Sequence, residues 1–266
     1  MTISRRILFQ LAGAAGVTSA LNKLSFAASP SRRLKLGLIF PPAARGIPQE
    51  GLSLYGDNIE FLIENLGLGT MTPEGYDSVV DLIPEKAESL VSRGAEAIVL
   101  MGTSLSFYMG EEYNQLLTRR MQEVSGLPSI TMSTAVIEGL LAVGSKRVVA
   151  ATAYNDVVNS RLYAFLTEHN FEVLHIQGLG IEAMEDLAKV TQSQLLNFGV
   201  EVFNAANGAD SILVSCGGLI TLDILAPLEE RIRVPAISST PHSLFAGAGL
   251  LGIDANVFGY GSLISG

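Results

Sequence analysis

Cys216 is the one cysteine of this chain. It follows the apolar run Ser211-Ile212-Leu213-Val214-Ser215 and precedes Gly217-Gly218-Leu219. That order reads as a buried strand ending in a thiol, then a glycine turn opening a helix. A thiol at a helix N-terminus would lie beside unpaired backbone N–H groups, and its pKa should fall from about 8.5 toward the thiolate. Such a group suits a nucleophile, a base, or an acid that hands over its proton beside a negative substrate. The plain alternative is a small buried hydrophobe. Thr103 and Ser104 stand at a second strand end. They could be ordinary helix N-caps, or two hydroxyls that join adjacent backbone N–H groups to cradle an anion. Tyr154 ends a third strand. Its phenol could donate into the same cradle from across a cleft, or serve only as a wedge between two halves.

The elements that position these groups occur twice. Residues 94–105 align without gaps on residues 208–219, which sets Gly102 opposite Cys216. Short continuous apolar runs predict buried parallel strands over 35–40, 97–101, 147–151 and 211–215. Proline-led strands follow at 128–131 and 235–238. Helical periodicity covers 83–93, 134–143, 159–169 and 195–206. This alternation predicts an α/β fold of two pseudo-symmetric lobes, each a parallel sheet flanked by helices, with the active site in the cleft between them. Residues 29–134 plus 241–266 form the first lobe and 135–240 the second. The strand ends would line the cleft with Pro41, Gly102, Thr103, Ser104, Tyr154, Cys216 and Gly217.

Bulk composition narrows the partners. The 266 residues carry a net charge of −9 and are 48% hydrophobic, enough for a sizeable core but a poor match to nucleic acid or an anionic membrane. One cysteine and three scattered histidines give no zinc or iron–sulfur pattern and no internal disulfide. No phosphate-binding loop and no Ser-His-Asp arrangement is visible. Lys and Arg do not cluster at the strand ends, so the cradle is expected to use neutral donors only. Glu111-Glu112 and Glu229-Glu230 read as solvated helix faces, His175 as a core or edge residue, and His242 as a residue near the cleft. Residues 1–28 read as a twin-arginine signal peptide. Arg5-Arg6 precede an apolar run over 8–20, and Ser25-Phe26-Ala27 offers small residues for cleavage. The mature chain is therefore expected in the periplasm, free of the membrane, as a monomer or small homo-oligomer.

Several long segments resemble the arylmalonate decarboxylase family of the aspartate/glutamate racemase superfamily. They include Gly37-Leu38-Ile39-Phe40-Pro41-Pro42-Ala43-Ala44, Gly67-Leu68-Gly69, Thr72-Pro73-Glu74-Gly75-Tyr76, and Met101-Gly102-Thr103-Ser104-Leu105-Ser106-Phe107-Tyr108. Others are Thr131-Met132-Ser133-Thr134-Ala135, Thr152-Ala153-Tyr154 with Asn159, and Ser215-Cys216-Gly217-Gly218-Leu219. The racemases and maleate isomerases of that superfamily carry a cysteine at both strand ends; this chain has only the second. The resemblance implies decarboxylation of an α-aryl or related α-substituted malonate to one enantiomer of the monoacid, with no cofactor and no metal. It assigns Thr103, Ser104 and Tyr154, with the backbone N–H groups of Ser104 and Gly217, to a dioxyanion hole for the retained carboxylate. It makes Cys216 the proton donor. Leu68, Met71, Met184 and Leu187 would form the apolar pocket facing the departing carboxylate and the small α-substituent. Gly102 and Pro41 would leave room for the aryl group, and Tyr76, Leu105 and Gly218 would be further substrate-binding positions. The alternatives are a racemase or cis–trans isomerase of small dicarboxylates, and an exported two-lobe solute-binding protein.

Overall fold

Each apolar run read as a strand forms one. The computed structural model describes residues 32–266; the signal segment read at 1–28 lies outside the described residues. In the first half β1 (Leu34–Pro42), α1 (Gln49–Tyr55), β2 (Ile59–Leu68), α2 (Pro73–Asp77), α3 (Ile83–Ser92) and β3 (Ala97–Leu100) follow in order. Then come α4 (Thr103–Phe107), α5 (Glu111–Ser125), β4 (Ser129–Thr131) and α6 (Met132–Ala142). The second half runs β5 (Arg147–Thr152), α7 (Asp156–Glu168), β6 (Glu172–Gly178), α8 (Gln192–Asn204), β7 (Ser211–Ser215) and α9 (Leu222–Ile232). It closes with β8 (Ala236–Ser238), α10 (Ser239–Leu250) and α11 (Ser262–Ser265). All strand pairings within the two sheets are parallel, in the orders β2-β1-β3-β4 and β6-β5-β7-β8. Together the described residues form one compact unit.

The central strands are buried on both faces, which is why they are continuously apolar. Pro128 and Pro235 lack an N–H and so stand just before the edge strands they introduce, where their carbonyls accept from Ile98 and Ile212. The duplication extends to side chains. Glu96 accepts from the Lys35 N–H at 2.9 Å, and its counterpart Asp210 accepts from the N–H groups of Lys146 and Arg147 at 3.0–3.1 Å. Two strands escaped the sequence reading. β2 and β6 are sheet edges, half-buried along much of their length, and Glu60, Glu64, Asn65, His175 and Gln177 interrupt their apolar pattern.

The helices after β4 and β8 cross between the sheets. α10 lies on β3 and β4, α6 reaches β8, and the two pack on each other. Glycines permit these approaches: a β-carbon at Gly247 would come within 2.8 Å of Leu36, and one at Gly139 within 3.3 Å of Ile237. The crossing brings the starts of α6 and α10 to the ends of β3 and β7, where the functional residues stand. No helix among the described residues is long and apolar enough to cross a membrane.

Candidate active site

A cleft of about 680 Å³ opens where β1, β2, β3 and β7 end. Pro41, Gly102, Thr103, Ser104, Cys216 and Gly217 line it together, as do Leu68, Met71, Met184, Leu187 and Gly218. The structure thus gathers eleven of the fourteen positions read from the sequence (Tyr76, Leu105 and Tyr154 are the exceptions).

Leu105 is fully buried and packs beneath Gly102, 3.1 Å from where a β-carbon would stand. It shapes the floor rather than the surface. Tyr154 lies behind the wall, 1% exposed, with its hydroxyl 3.1 Å from Ser215 Oγ. The Tyr154 ring packs edge-on against Phe107, and Asn159 braces its carbonyl. Tyr76 is also fully buried, but its hydroxyl has no hydrogen-bond partner. Ser104 and Cys216 are close enough to influence its titration without completing a bond. An unpaired buried hydroxyl costs roughly 1–3 kcal/mol. His242 is walled into α10. Its Nδ1 accepts from the Ser238 N–H at 3.0 Å, and burial drives its pKa down to about 4. It does not line the cleft.

The thiol differs from its sequence expectation. No helix opens at the glycine turn; α9 begins only at Leu222. The N–H groups of Thr221 and Leu222 are taken by the buried Glu50 carboxylate, each at 2.8 Å. The helix dipole therefore has little purchase on Cys216. Burial instead raises the thiol to about 11, against smaller lowering effects from the Gly218 N–H, the Arg45 charge, the Leu219 N–H and the Tyr154 hydroxyl. Cys216 is 4% exposed, and its Sγ lies 3.9 Å from Met71 Sδ. At neutral pH the group carries its proton, which fits an acid and not a resting nucleophile.

Two features escaped the sequence reading. Ser239, at the start of α10, accepts from the Thr103 hydroxyl at 2.9 Å and from the Cys216 N–H at 3.2 Å. Aligning β8 on β4 sets it opposite Met132 and could have singled it out. Arg45 also lines the cleft, a charged group the sequence reading did not single out. A lone cation in a Pro/Ala loop carries no motif. The loops that follow β2 and β6 meet over the cleft as well. Met71 N–H donates to the Glu182 carbonyl at 2.9 Å, Met184 N–H donates to Gly69 at 3.2 Å, and Thr70 pairs with Ala183. This bridge sets Met71 and Met184 side by side on the apolar wall. Gly218 permits Leu187 to close that wall, since a β-carbon there would overlap it.

A family model described as arylmalonate decarboxylase matches residues 36–264. The chain is 46% identical over 229 residues to an arylmalonate decarboxylase of Bordetella bronchiseptica, covering 86% of this chain and 95% of that protein. Among solved structures, a liganded arylmalonate decarboxylase carrying a glycine-to-cysteine and a cysteine-to-serine exchange superposes with a TM-score of 0.85. It is 45% identical and covers 87% of this chain and 99% of the other. A maleate isomerase from Pseudomonas putida shares the fold, with a TM-score of 0.82 at 20% identity, covering 88% and 99% of the two chains.

The electrostatic balance around Cys216 sets a direct expectation. The rate of thiol alkylation, followed against pH, should rise with a midpoint of about 11. A midpoint near the free value of about 8.5 would show that burial does not dominate.

Proposed function

This chain belongs to the arylmalonate decarboxylase family and is a carboxy-lyase, and we propose that it decarboxylates α-aryl or related α-substituted malonates, without a cofactor, to one enantiomer of the monoacid. The observation that carries this reading is a single buried, protonated thiol and the unpaired Tyr76 hydroxyl beside a cleft whose opposite strand end bears only Gly102. Thr103, Ser104 and the backbone around Ser104 and Gly217 receive the retained carboxylate. Tyr76 offers its free hydroxyl, and Tyr154 supports the cradle from behind. The departing carboxylate lies against Leu68, Met71, Met184 and Leu187, where lost hydration favours neutral CO2.

As the C–C bond breaks, its electron pair moves into an enediolate on the retained carboxylate. Fixed donors aimed at that growing charge are each worth about 10²–10³ in rate. The Cys216 S–H then protonates the α-carbon, and water returns a proton to the thiolate. The Gly218 and Leu219 N–H groups and the Arg45 charge favour that thiolate while it lasts. Protonation from one side yields one enantiomer. A racemase or isomerase would need a second acid–base group at Gly102. A β-carbon there would fall 2.6 Å from the Pro41 ring, so that side is closed to a second thiol unless the proline moves.

Incubation of the protein with phenylmalonate should release CO2 and leave phenylacetate; an α-methyl analogue should give one enantiomer of 2-phenylpropionate. Cys216→Ser and Cys216→Ala should fold normally and lose about 10²–10⁴-fold in turnover, the range for a positioned general acid. Near-normal rates in both variants would remove the thiol from the mechanism. Tyr76→Phe separates a ligand donor from a packing residue. It should lower kcat/KM at least tenfold while leaving thermal stability equal or higher, because an unpaired buried hydroxyl is removed. Lowered stability with unchanged kinetics would assign Tyr76 to packing alone.

We also propose that residues 1–28 direct export, on the strength of Arg5-Arg6, the apolar run after them and Ser25-Phe26-Ala27. Cell fractionation should place the protein in the periplasm with a new N-terminus near Ala28, and Arg5→Lys with Arg6→Lys should retain it inside. Full-length wild-type protein confined to the cytoplasm would overturn this.

A further inference from the structure

Arg45 is a guanidinium with no carboxylate within ion-pair distance among the described residues, on the wall of a largely apolar cleft. Its position is held from both ends. The backbone N–H donates to Asn65 Oδ1 at 2.9 Å, and Asn65 Nδ2 donates back to the Arg45 carbonyl at 3.3 Å. The guanidinium carbon lies 5.9 Å from the centre of the Phe40 ring, and that ring is 1% exposed. A fixed backbone and an aromatic support make a pre-organised cation, whose planar fork suits a carboxylate.

The charge is felt inside the site. It acts on Cys216 and on Glu50. Glu50 does not neutralise it, since that carboxylate is bound to the N–H groups of Thr221 and Leu222. The other charged residue lining the cleft, Glu185, is exposed. Arg45 is thus a free cation in a protein of net charge −9.

Its place in the loop decides what it can recognise. Pro41 abuts Gly102, and together they form the wall assigned above to the substrate's aryl substituent. Arg45 follows Pro41 on the same loop and lines the cleft, whereas the reading above sets the departing carboxylate against Leu68, Met71, Met184 and Leu187. A guanidinium gripping the departing group would stabilise the ground state and slow CO2 loss. A guanidinium on the substituent side has no such penalty. We propose that Arg45 is a specificity-determining residue that binds a third anionic group, a carboxylate carried on the α-substituent of the malonate. The inference rests on the decarboxylase reading and narrows its substrate to a carboxylated arylmalonate class.

Steady-state kinetics with phenylmalonate and its 3- and 4-carboxyphenyl analogues test it, on the wild-type chain, Arg45→Gln and Arg45→Glu. A charge-assisted pair should give at least one carboxyphenyl analogue about a tenfold advantage in kcat/KM over phenylmalonate. That advantage should vanish in Arg45→Gln and reverse in Arg45→Glu, with the change in KM. Turnover of phenylmalonate with no carboxyphenyl preference would overturn the proposal, as would equal losses on all substrates, which mark general steering of the dianion. If no malonate releases CO2, the decarboxylase reading fails by itself. Calorimetric titration with 4-carboxyphenylacetate and phenylacetate then decides Arg45: a preference for the former that Arg45→Gln abolishes supports the anion site, and equal binding rejects it.

Discussion

The Ser239 hydroxyl is the point on which the site closes. It accepts from the Thr103 hydroxyl and from the Cys216 backbone, so one oxygen fixes the ends of β3 and β7 relative to each other. Neighbouring bonds repeat the logic. Ser133 donates to the Thr103 carbonyl at 2.9 Å, and its counterpart Thr240 donates to the Gly217 carbonyl at 3.1 Å. Thr103, Cys216 and Gly217 are thereby hydrogen-bonded to the starts of α6 and α10, and the Thr103–Ser239 bond joins the two halves. Buried hydroxyls of this kind are expensive when unpaired and rigid when paired. That rigidity lets the chain hold Thr103, Ser104 and Cys216 in one cleft.

Burial also sets the protonation state of the site, raising Cys216, Tyr76 and Tyr154 alike. A site of neutral donors and a neutral thiol has little charge of its own to oppose a dianion. In the proposed reaction it would meet new negative charge with dipoles already oriented, and so avoid reorganisation at the moment of bond cleavage. Among the described residues the one cation lining the cleft is Arg45.

Much of this was legible in the sequence, for identifiable reasons. β1, β3, β5 and β7 are covered on both faces and are spelled out as unbroken apolar runs. The internal alignment set Gly102 opposite Cys216 and so located both strand ends. β2 and β6 were hidden because edge strands tolerate Glu64 or His175 on a wetter face. Losing β2 hid Asn65, and with it the anchor that fixes Arg45 at the cleft. The thiol's pKa was misjudged for a different reason. Gly217-Gly218 looks like the start of a helix, but the first free N–H groups of α9 come later in the chain and are consumed by Glu50. That residue lies in α1, far away in sequence. Tertiary partners of this kind leave no local signature.

The functional content lies where the duplication breaks. In the first half, Gly102 leads straight into α4, so Thr103 and Ser104 stand in the first turn of a helix that lines the cleft. In the second half the chain makes an extra turn, closed by the Leu219 N–H on the Cys216 carbonyl, before α9 begins. That turn places Cys216 at φ 156°, at the border of a region that favours glycine. In the proposed reaction the same pair of strand ends supplies anion-binding hydroxyls from one side and a proton from the other. Had both halves kept one version, the cleft would hold two cradles or two acids, and neither alone can fix a carboxylate and protonate one face. Pro41 completes the asymmetry by filling the space a side chain at Gly102 would need. On the proposed mechanism a two-fold scaffold becomes a one-handed site because each symmetry-related position has a different job.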